Sequence, residues 1–243
     1  MAIAKANSYI SGYPDGTFKP NQPISRQEIA AVLTNILSLK GISSDSLGKF
    51  ADQNEIPFWS ISAIEAISEN GYMGGYPDGT FQPTKALTRA EAISVLDRAV
   101  GLLYNRSGTF GPLLTTTTIE GNVTITTGDV TLKNMVITGS LYLTEGVETG
   151  ELTFDNVQVQ GTAKISGGTK INLTPKTKLN TLLVDAPVAI TGEGTIDTAY
   201  INTSDVTIET KPTKLKVADD VTDFKSTPSK TTSSGSKKKS KKT

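Results

Sequence analysis

The sequence contains no cysteine and no histidine. The lack of thiols excludes a disulfide framework. With imidazole missing too, the usual zinc ligand sets and the Ser-His and Cys-His nucleophile pairs are gone. No apolar run approaches the roughly 18 residues that a membrane span requires, and the start lacks the basic-then-apolar pattern of a signal peptide. If the protein is exported, this chain is expected to be a mature or truncated form. Acidic residues are missing from one place only: none follows Asp223, whereas seven lysines do. Residues 1 to 224 therefore hold 17 basic against 24 acidic side chains, and a body of that sign is a poor partner for nucleic acid. No cofactor or metal site is expected. The 243 residues suffice for one large or two ordinary domains with real cores.

What the chain does have is a repeat. The stretch GYPDGTF occupies residues 12 to 18 and again 75 to 81. The same offset of 63 aligns Asn7 with Asn70, Tyr9 with Tyr72, Pro20 with Pro83, Arg26 with Arg89 and Glu28 with Glu91. Each unit reads as helix, turn, helix. In the second, Trp59, Ile61, Ile64, Ile67 and Ser68 suit one helical face, Gly71 and Gly74-Gly75 end it, and Pro77-Asp78-Gly79 makes a turn. Thr88 then opens a helix through Val95 and Leu96 towards Gly101. Thr88 with Glu91, and Ser25 with Glu28, have the spacing of a capping box, hydroxyl to amide and carboxylate back to amide.

Between each pair of capping residues stands an arginine. A cation in the first turn faces the positive end of the helix dipole, at a cost of a few tenths to about 1 kcal/mol, so a compensating group is expected. One reading pairs Arg26 and Arg89 with nearby acids such as Asp15 and Asp78. The other is an anion site, with guanidinium and helix-start amides directed at one carboxylate or phosphate. Two occurrences at one offset favour the second.

The residues WSISAIEAISENGYMGGYPDGTFQPTKALTRAEAISVL (59 to 96) and NSYISGYPDGTFKPNQPISRQEIAAVL (7 to 33) resemble the S-layer homology (SLH) domain over roughly residues 1 to 103. The resemblance implies an all-α repeat region, usually of three units packed as a pseudo-trimer. It also implies attachment of an exported protein to the bacterial envelope through a secondary cell-wall polysaccharide, often one bearing an acidic pyruvate ketal. By that resemblance Arg26 and Arg89 are glycan contacts. Trp59 packs in the core or lines a groove, and Tyr13, Tyr76, Asp15 and Asp78 of the repeated turn join the glycan-binding set, with turn packing as the alternative for the tyrosines. Glu28 and Glu91 are assigned to capping. The chain departs from the pattern in three ways: unit one starts in mid-pattern and is expected to be cut, its box reads Ser-Arg-Gln-Glu, and no third unit is present.

After Arg106-Ser107-Gly108 the texture changes. Residues 109 to 222 carry 26 threonines and short alternating runs such as NVTI, SLYL, ELTF and DVTI, the pattern of strands with one buried face. Corners at Gly121, Gly139, Gly161, Asp185 and Thr203 predict an all-β solenoid of roughly five rungs, a right-handed parallel β-helix, with a β-sandwich as the rival. Polysaccharide-cleaving enzymes also use such a fold, so a tethered lyase or hydrolase is the competing function. It would need two carboxylates about 5 to 10 Å apart, and Asp155, Asp185, Asp197 and Asp205 read better as corner residues.

The domains expected are a partial repeat (1–41), a full repeat (42–106), the solenoid (107–224) and a disordered Lys/Ser/Thr-rich tail (225–243). The segment from Val217 to Phe224 is expected to cap one end of the stack. The overall expectation is a secreted, non-enzymatic protein of the cell wall or S-layer, bound to wall polysaccharide and able to self-assemble into a lattice or filament.

Overall fold

The computed structural model describes residues 5, 9–39 and 46–226. Of the tail expected over 225–243, residues 227 onward lie outside them, as do most residues before Tyr9, and residues 225 and 226 belong to a strand instead. The chain divides into two compact units, Met1–Val100 and Gly101–Thr243.

Unit one is helical. Helix α1 (Arg26–Leu37) starts at Ser25 and ends where Ser38 turns left-handed, its amide donating to the carbonyls of Thr34 and Asn35. Helix α2 (Ile61–Glu69) buries Ala63, Ile64, Ala66 and Ile67, a stripe with the three- and four-residue spacing of one helical face. Trp59 is not part of it: Phe58–Ser60 form a separate 3-10 turn ahead of the helix. Helix α3 (Arg89–Val100) buries Val95 and Ala99. The core gathers Leu33, Phe50, Ile64, Ile67, Met73 and Phe81 among others. The Thr34 hydroxyl donates to the Ala63 carbonyl at 3.3 Å where α1 meets α2.

Unit two is built from β1 (Leu102–Tyr104), β2 (Gly108–Phe110), β3 (Thr117–Ile119), β4 (Val123–Ile125), β5 (Val130–Ile137), β6 (Leu141–Leu143), β7 (Glu151–Ile165), β8 (Lys170–Leu173), β9 (Lys178–Val184), β10 (Val188–Gly192), β11 (Thr195–Ile201), β12 (Val206–Ile208), β13 (Lys214–Val217) and β14 (Phe224–Ser226). Every pairing between these strands is parallel, which rules out the sandwich, whose sheets are antiparallel. One face stacks Leu103, Thr124, Tyr142, Lys164, Leu183, Tyr200 and Lys216 in register, so each turn advances 16 to 22 residues. A second face runs through β2, β5, β7, β8, β10, β12 and β14. The shorter third face joins β3 to later parts of β5 and β7 and the first parts of β9 and β11.

The solenoid therefore has about seven turns, more than the five expected. It begins at Leu102, inside the stretch (42–106) assigned to the second repeat, and the corners that set the expected count are of two kinds. Gly121, Gly139 and Gly161 stack in one column, the Gly139 amide donating to the Gly121 carbonyl and the Gly161 amide to that of Gly139, both at 2.9 Å. A Cβ on Gly139 would lie 2.5 Å from the carbonyl of Gly121, so no larger residue fits. Asp185 and Thr203 instead follow the strand ends at Val184 and Ile201, one corner further on. A different corner is turned without leaving the strand. Asn134 and Asn156 adopt φ of 49° and 57°, a left-handed conformation that asparagine tolerates, and Asn156 Nδ2 donates to Asn134 Oδ1 at 2.8 Å. The inward side chains, from Val123 to Ile208, form a single hydrophobic core, and Val221 and Phe224 pack against it from the closing segment.

Leu141 is fully buried in that core. Leu141→Ala is expected to cost about 2–5 kcal/mol, measured as a lowered urea midpoint by far-ultraviolet circular dichroism, with the strand signal at zero denaturant unchanged.

Candidate functional site

The site is the seam between the two repeats of unit one. Both helix starts are closed by capping boxes. In α1, the Ser25 amide donates to Glu28 Oε2 at 2.7 Å and the Glu28 amide to Ser25 Oγ at 3.4 Å. In α3, the Thr88 amide donates to Glu91 Oε2 at 2.8 Å and the Glu91 amide to Thr88 Oγ1 at 3.2 Å. The second oxygen of each glutamate accepts a tyrosine hydroxyl from the repeated turn, Tyr13 on Glu28 at 2.9 Å and Tyr76 on Glu91 at 2.5 Å. Asp15 and Asp78 fold back on their own turns, accepting from the amides and hydroxyls of Thr17 and Thr80 at 2.6–3.0 Å.

The first arginine crosses from one repeat to the other. Arg26 is 4% exposed. Its Nε donates to the Phe81 carbonyl at 2.7 Å and a terminal nitrogen to the Gly74 carbonyl at 2.6 Å. The guanidinium lies 4.5 Å from the Tyr76 ring centre and 4.6 Å from that of Phe81. Its acid is Glu91, at 4.0 Å, and not Asp15, which pairs with Lys19 at 3.0 Å. Hydrogen bonds from a charged donor are worth about 1.5–3 kcal/mol each, whereas an ion pair at the distance limit beside a part-exposed carboxylate adds at most about 1 kcal/mol. The two carbonyls therefore dominate. They answer the misplaced cation at the helix start, and they belong to the turn of the other repeat.

Backbone pairing reinforces the seam. The Arg26 and Gln27 amides donate to the carbonyls of Lys85 and Pro83, and the Leu87 amide donates to that of Ile24, all at 2.9–3.0 Å. The receiving turn is itself held from below: Phe81 and Gln82 amides donate to the two oxygens of Asp52 at 2.7 Å, and the Phe81 ring packs 5.2 Å from that of Phe50.

Arg89 sits differently from Arg26. It is exposed at the start of α3, and no hydrogen bond or ion pair engages its side chain among the described residues. Trp59 is 55% exposed and Phe58 92%, so the core reading of the tryptophan does not hold. The turn that carries them touches α1 through Ser60, whose hydroxyl donates to Gln27 Oε1 at 3.5 Å. Two neighbours escaped the sequence reading. Lys85 places its ammonium 4.1 Å from the Tyr76 ring centre, and the repeat offset hid it because glutamine stands at position 22. Phe58 had no partner in the first repeat to mark it.

In the solenoid the four candidate carboxylates do not converge. Asp155 pairs with Lys133 at 3.3 Å and Asp185 with Lys164 at 3.6 Å. Asp197 lies beside Gln158, Lys178 and Thr195 in a shallow hollow, and Asp205 sits at a corner with φ of 59°. Among the described residues no group of three acidic side chains could hold a metal ion, and no helix is long and apolar enough to cross a membrane.

Residues 1–30 and 49–93 match the family model for the S-layer homology domain, the region in which the capped arginines and the repeated turn have just been placed. The helical unit is an SLH region. Cell surface glycoprotein 1 of Acetivibrio thermocellus is 38% identical over 107 residues, 41% of this chain and 5% of that protein. The cellulosome-anchoring protein of the same organism is 40% identical over 92 residues, 36% of this chain and 20% of the relative. An endoglucanase from Bacillus sp. (strain KSM-635) is 30% identical over 96 residues, 40% of this chain and 10% of that enzyme. The chain thus spans a fifth or less of the length of these relatives. No solved structure matches it. The SLH region and these kinships mark a secreted protein associated with the cell wall.

Two outcomes test the seam. Arg26→Ala leaves two carbonyls and a carboxylate facing a gap, and is expected to destabilise the SLH region by about 3–5 kcal/mol in thermal or urea unfolding. Arg26→Lys should not restore it, since one ammonium cannot reproduce the fork that reaches both carbonyls. Glu91 provides the second test. The Tyr76 hydroxyl, then the Thr88 amide and hydroxyl, hold its carboxyl at about 2 against an ordinary 4.5. A depressed folded value means the contribution is complete above pH 4.5 and disappears as pH falls through about 2. Glu91→Gln should therefore lower stability at neutral pH and flatten the loss of stability across that acid window, followed as melting temperature against pH.

Proposed function

We propose that the SLH region fastens the protein to the wall by holding an acidic secondary cell-wall polysaccharide, one carrying a pyruvate ketal or a similar carboxylate, and that the solenoid is a non-enzymatic structural or display segment. The observation that carries this reading is the composition of the seam. Arg26 sets a fixed positive charge beneath Tyr76, Lys85 adds an exposed ammonium over the same ring, and the exposed Trp59 and Phe58 are set on the neighbouring turn. Aromatic faces beside paired cations suit a sugar ring that bears a carboxylate. Arg89 offers a second, open cation, and Tyr13 with Asp15 repeats the turn on the first unit. The anchoring named for the Acetivibrio relative agrees with this role.

The solenoid is taken as right-handed, the hand that parallel crossovers adopt in about 98% of cases. A tethered carbohydrate-active enzyme is the second reading, favoured by the endoglucanase relative; against it stand lysine-paired carboxylates set at different corners.

Purified wall fragments carrying the polysaccharide are expected to pellet the protein. Trp59→Ala and Lys85→Ala should each weaken that binding by roughly tenfold, equivalent to about 1.4 kcal/mol. Pelleting by both variants at the wild-type level would refute the seam as the glycan site, and release of reducing ends from acidic polysaccharides would overturn the non-enzymatic reading.

A further inference from the structure

Arg26 and its receptor stand one repeat apart, so each half of that contact has a counterpart that the contact does not use. The plug is Arg26; its counterpart is Arg89, exposed and without a side-chain partner among the described residues. The receptor consists of the Gly74 and Phe81 carbonyls, the Tyr76 and Phe81 rings and Glu91. Its counterpart, by the same offset of 63, is Ser11, Tyr13, Phe18 and Glu28. The acceptor at position 74 is a backbone carbonyl, so serine in place of glycine at 11 preserves it. The Tyr-to-Glu hydrogen bond that orients the carboxylate in the used receptor is repeated in its counterpart, where Lys5 lines a hollow with Ser11 and Phe18. Phe81 is fully buried beneath Arg26, whereas Phe18 is 37% exposed. A lysine lies over the tyrosine in both turns, Lys85 at 4.1 Å and Lys19 at 4.4 Å, and in the used receptor the arginine shares the ring with it.

We propose that Arg89 docks into the first-repeat turn of a second copy of this chain, reproducing between molecules the contact that Arg26 makes within one. The charge match is the same, a guanidinium against a tyrosine-oriented carboxylate and two carbonyls. The backbone match follows from the same offset: the Arg89 and Ala90 amides would meet the carbonyls of Gln22 and Pro20, as those of Arg26 and Gln27 meet Lys85 and Pro83. The interface is heterologous, plug on one face and receptor on another, so it propagates into rings or open chains and does not stop at a symmetric dimer. It depends on the repeat geometry and not on the glycan reading.

Sedimentation of the full chain, with no glycan present, tests it. The wild-type mass is expected to rise with protein concentration. Arg89→Ala removes the plug and Phe18→Lys sets a like charge in the receptor; each variant alone should remain monomeric, and an equimolar mixture should form a one-to-one complex through the single intact pair of faces. Both positions are exposed, so unchanged circular dichroism melts are expected, and Arg89→Gln serves as a milder plug variant. A wild-type chain that stays monomeric at every concentration, or either variant associating like wild type, would overturn the proposal. Wall pelleting through Trp59 and Lys85 would be unaffected by that failure, so the two readings fall separately.

Discussion

A guanidinium cannot be taken out of water unless its donors are met, and the SLH region is arranged around that constraint. Arg26 stands at the first residue of a helix, where the dipole opposes it, and is 4% exposed. The groups that make this tolerable lie roughly fifty residues further on, in the turn of the other repeat. The consequence is an interlock: the buried arginine of the first repeat's helix start is met by the second repeat, whose turn offers two carbonyls and whose helix α3 offers the Glu91 carboxylate.

Local chemistry prepares both sides of the interlock. The capping boxes direct one oxygen of Glu28 and of Glu91 to the helix start and leave the other for a tyrosine. In Glu28, burial pushes the carboxyl upward, but the Ser25 hydroxyl and amide and the Tyr13 hydroxyl outweigh it, and the net shift is downward. Both glutamates thus stay ionised where a guanidinium can use them. The turn itself is kept rigid by Asp15 and Asp78, each bridging two residues ahead to a threonine. The seven residues of the second repeat are therefore a receptor as well as a turn.

The solenoid follows a different rule. Its strands gain stability from register, each backbone bonding to the turn before it, and its corners are limited by how closely successive turns approach. Gly139 and Gly161 reflect that limit, each pressed against the turn before it, while the asparagine pair at 134 and 156 reverses the side-chain phase without breaking the strand. Its charged side chains are answered across neighbouring turns, Lys133 by Asp155 and Lys164 by Asp185, which stabilises the stack and leaves no convergent carboxylates.

Much of this was legible in the residues. The turn, the capping pairs and the strand alternation are short-range patterns, set by backbone preferences and side-chain reach within a few positions, and the sequence by itself determined a helical repeat region followed by a strand-rich one; that the strands coil as a solenoid and not as a sandwich was decided by their parallel pairing. The number of solenoid turns was not legible, because three-residue strands at Leu102 and Phe224 carry too little pattern and corner residues of two kinds look alike. Of the two readings of Trp59 the core one failed, since a tryptophan ahead of an amphipathic helix reads as part of its buried face until the 3-10 turn sets it outward. The fate of the two arginines was decided only by tertiary structure. They occupy equivalent positions in their capping boxes, Ser25-Arg26-Gln27-Glu28 and Thr88-Arg89-Ala90-Glu91; one is buried and the other open because only Arg26 has another repeat's turn against it, and that depends on how distant segments pack.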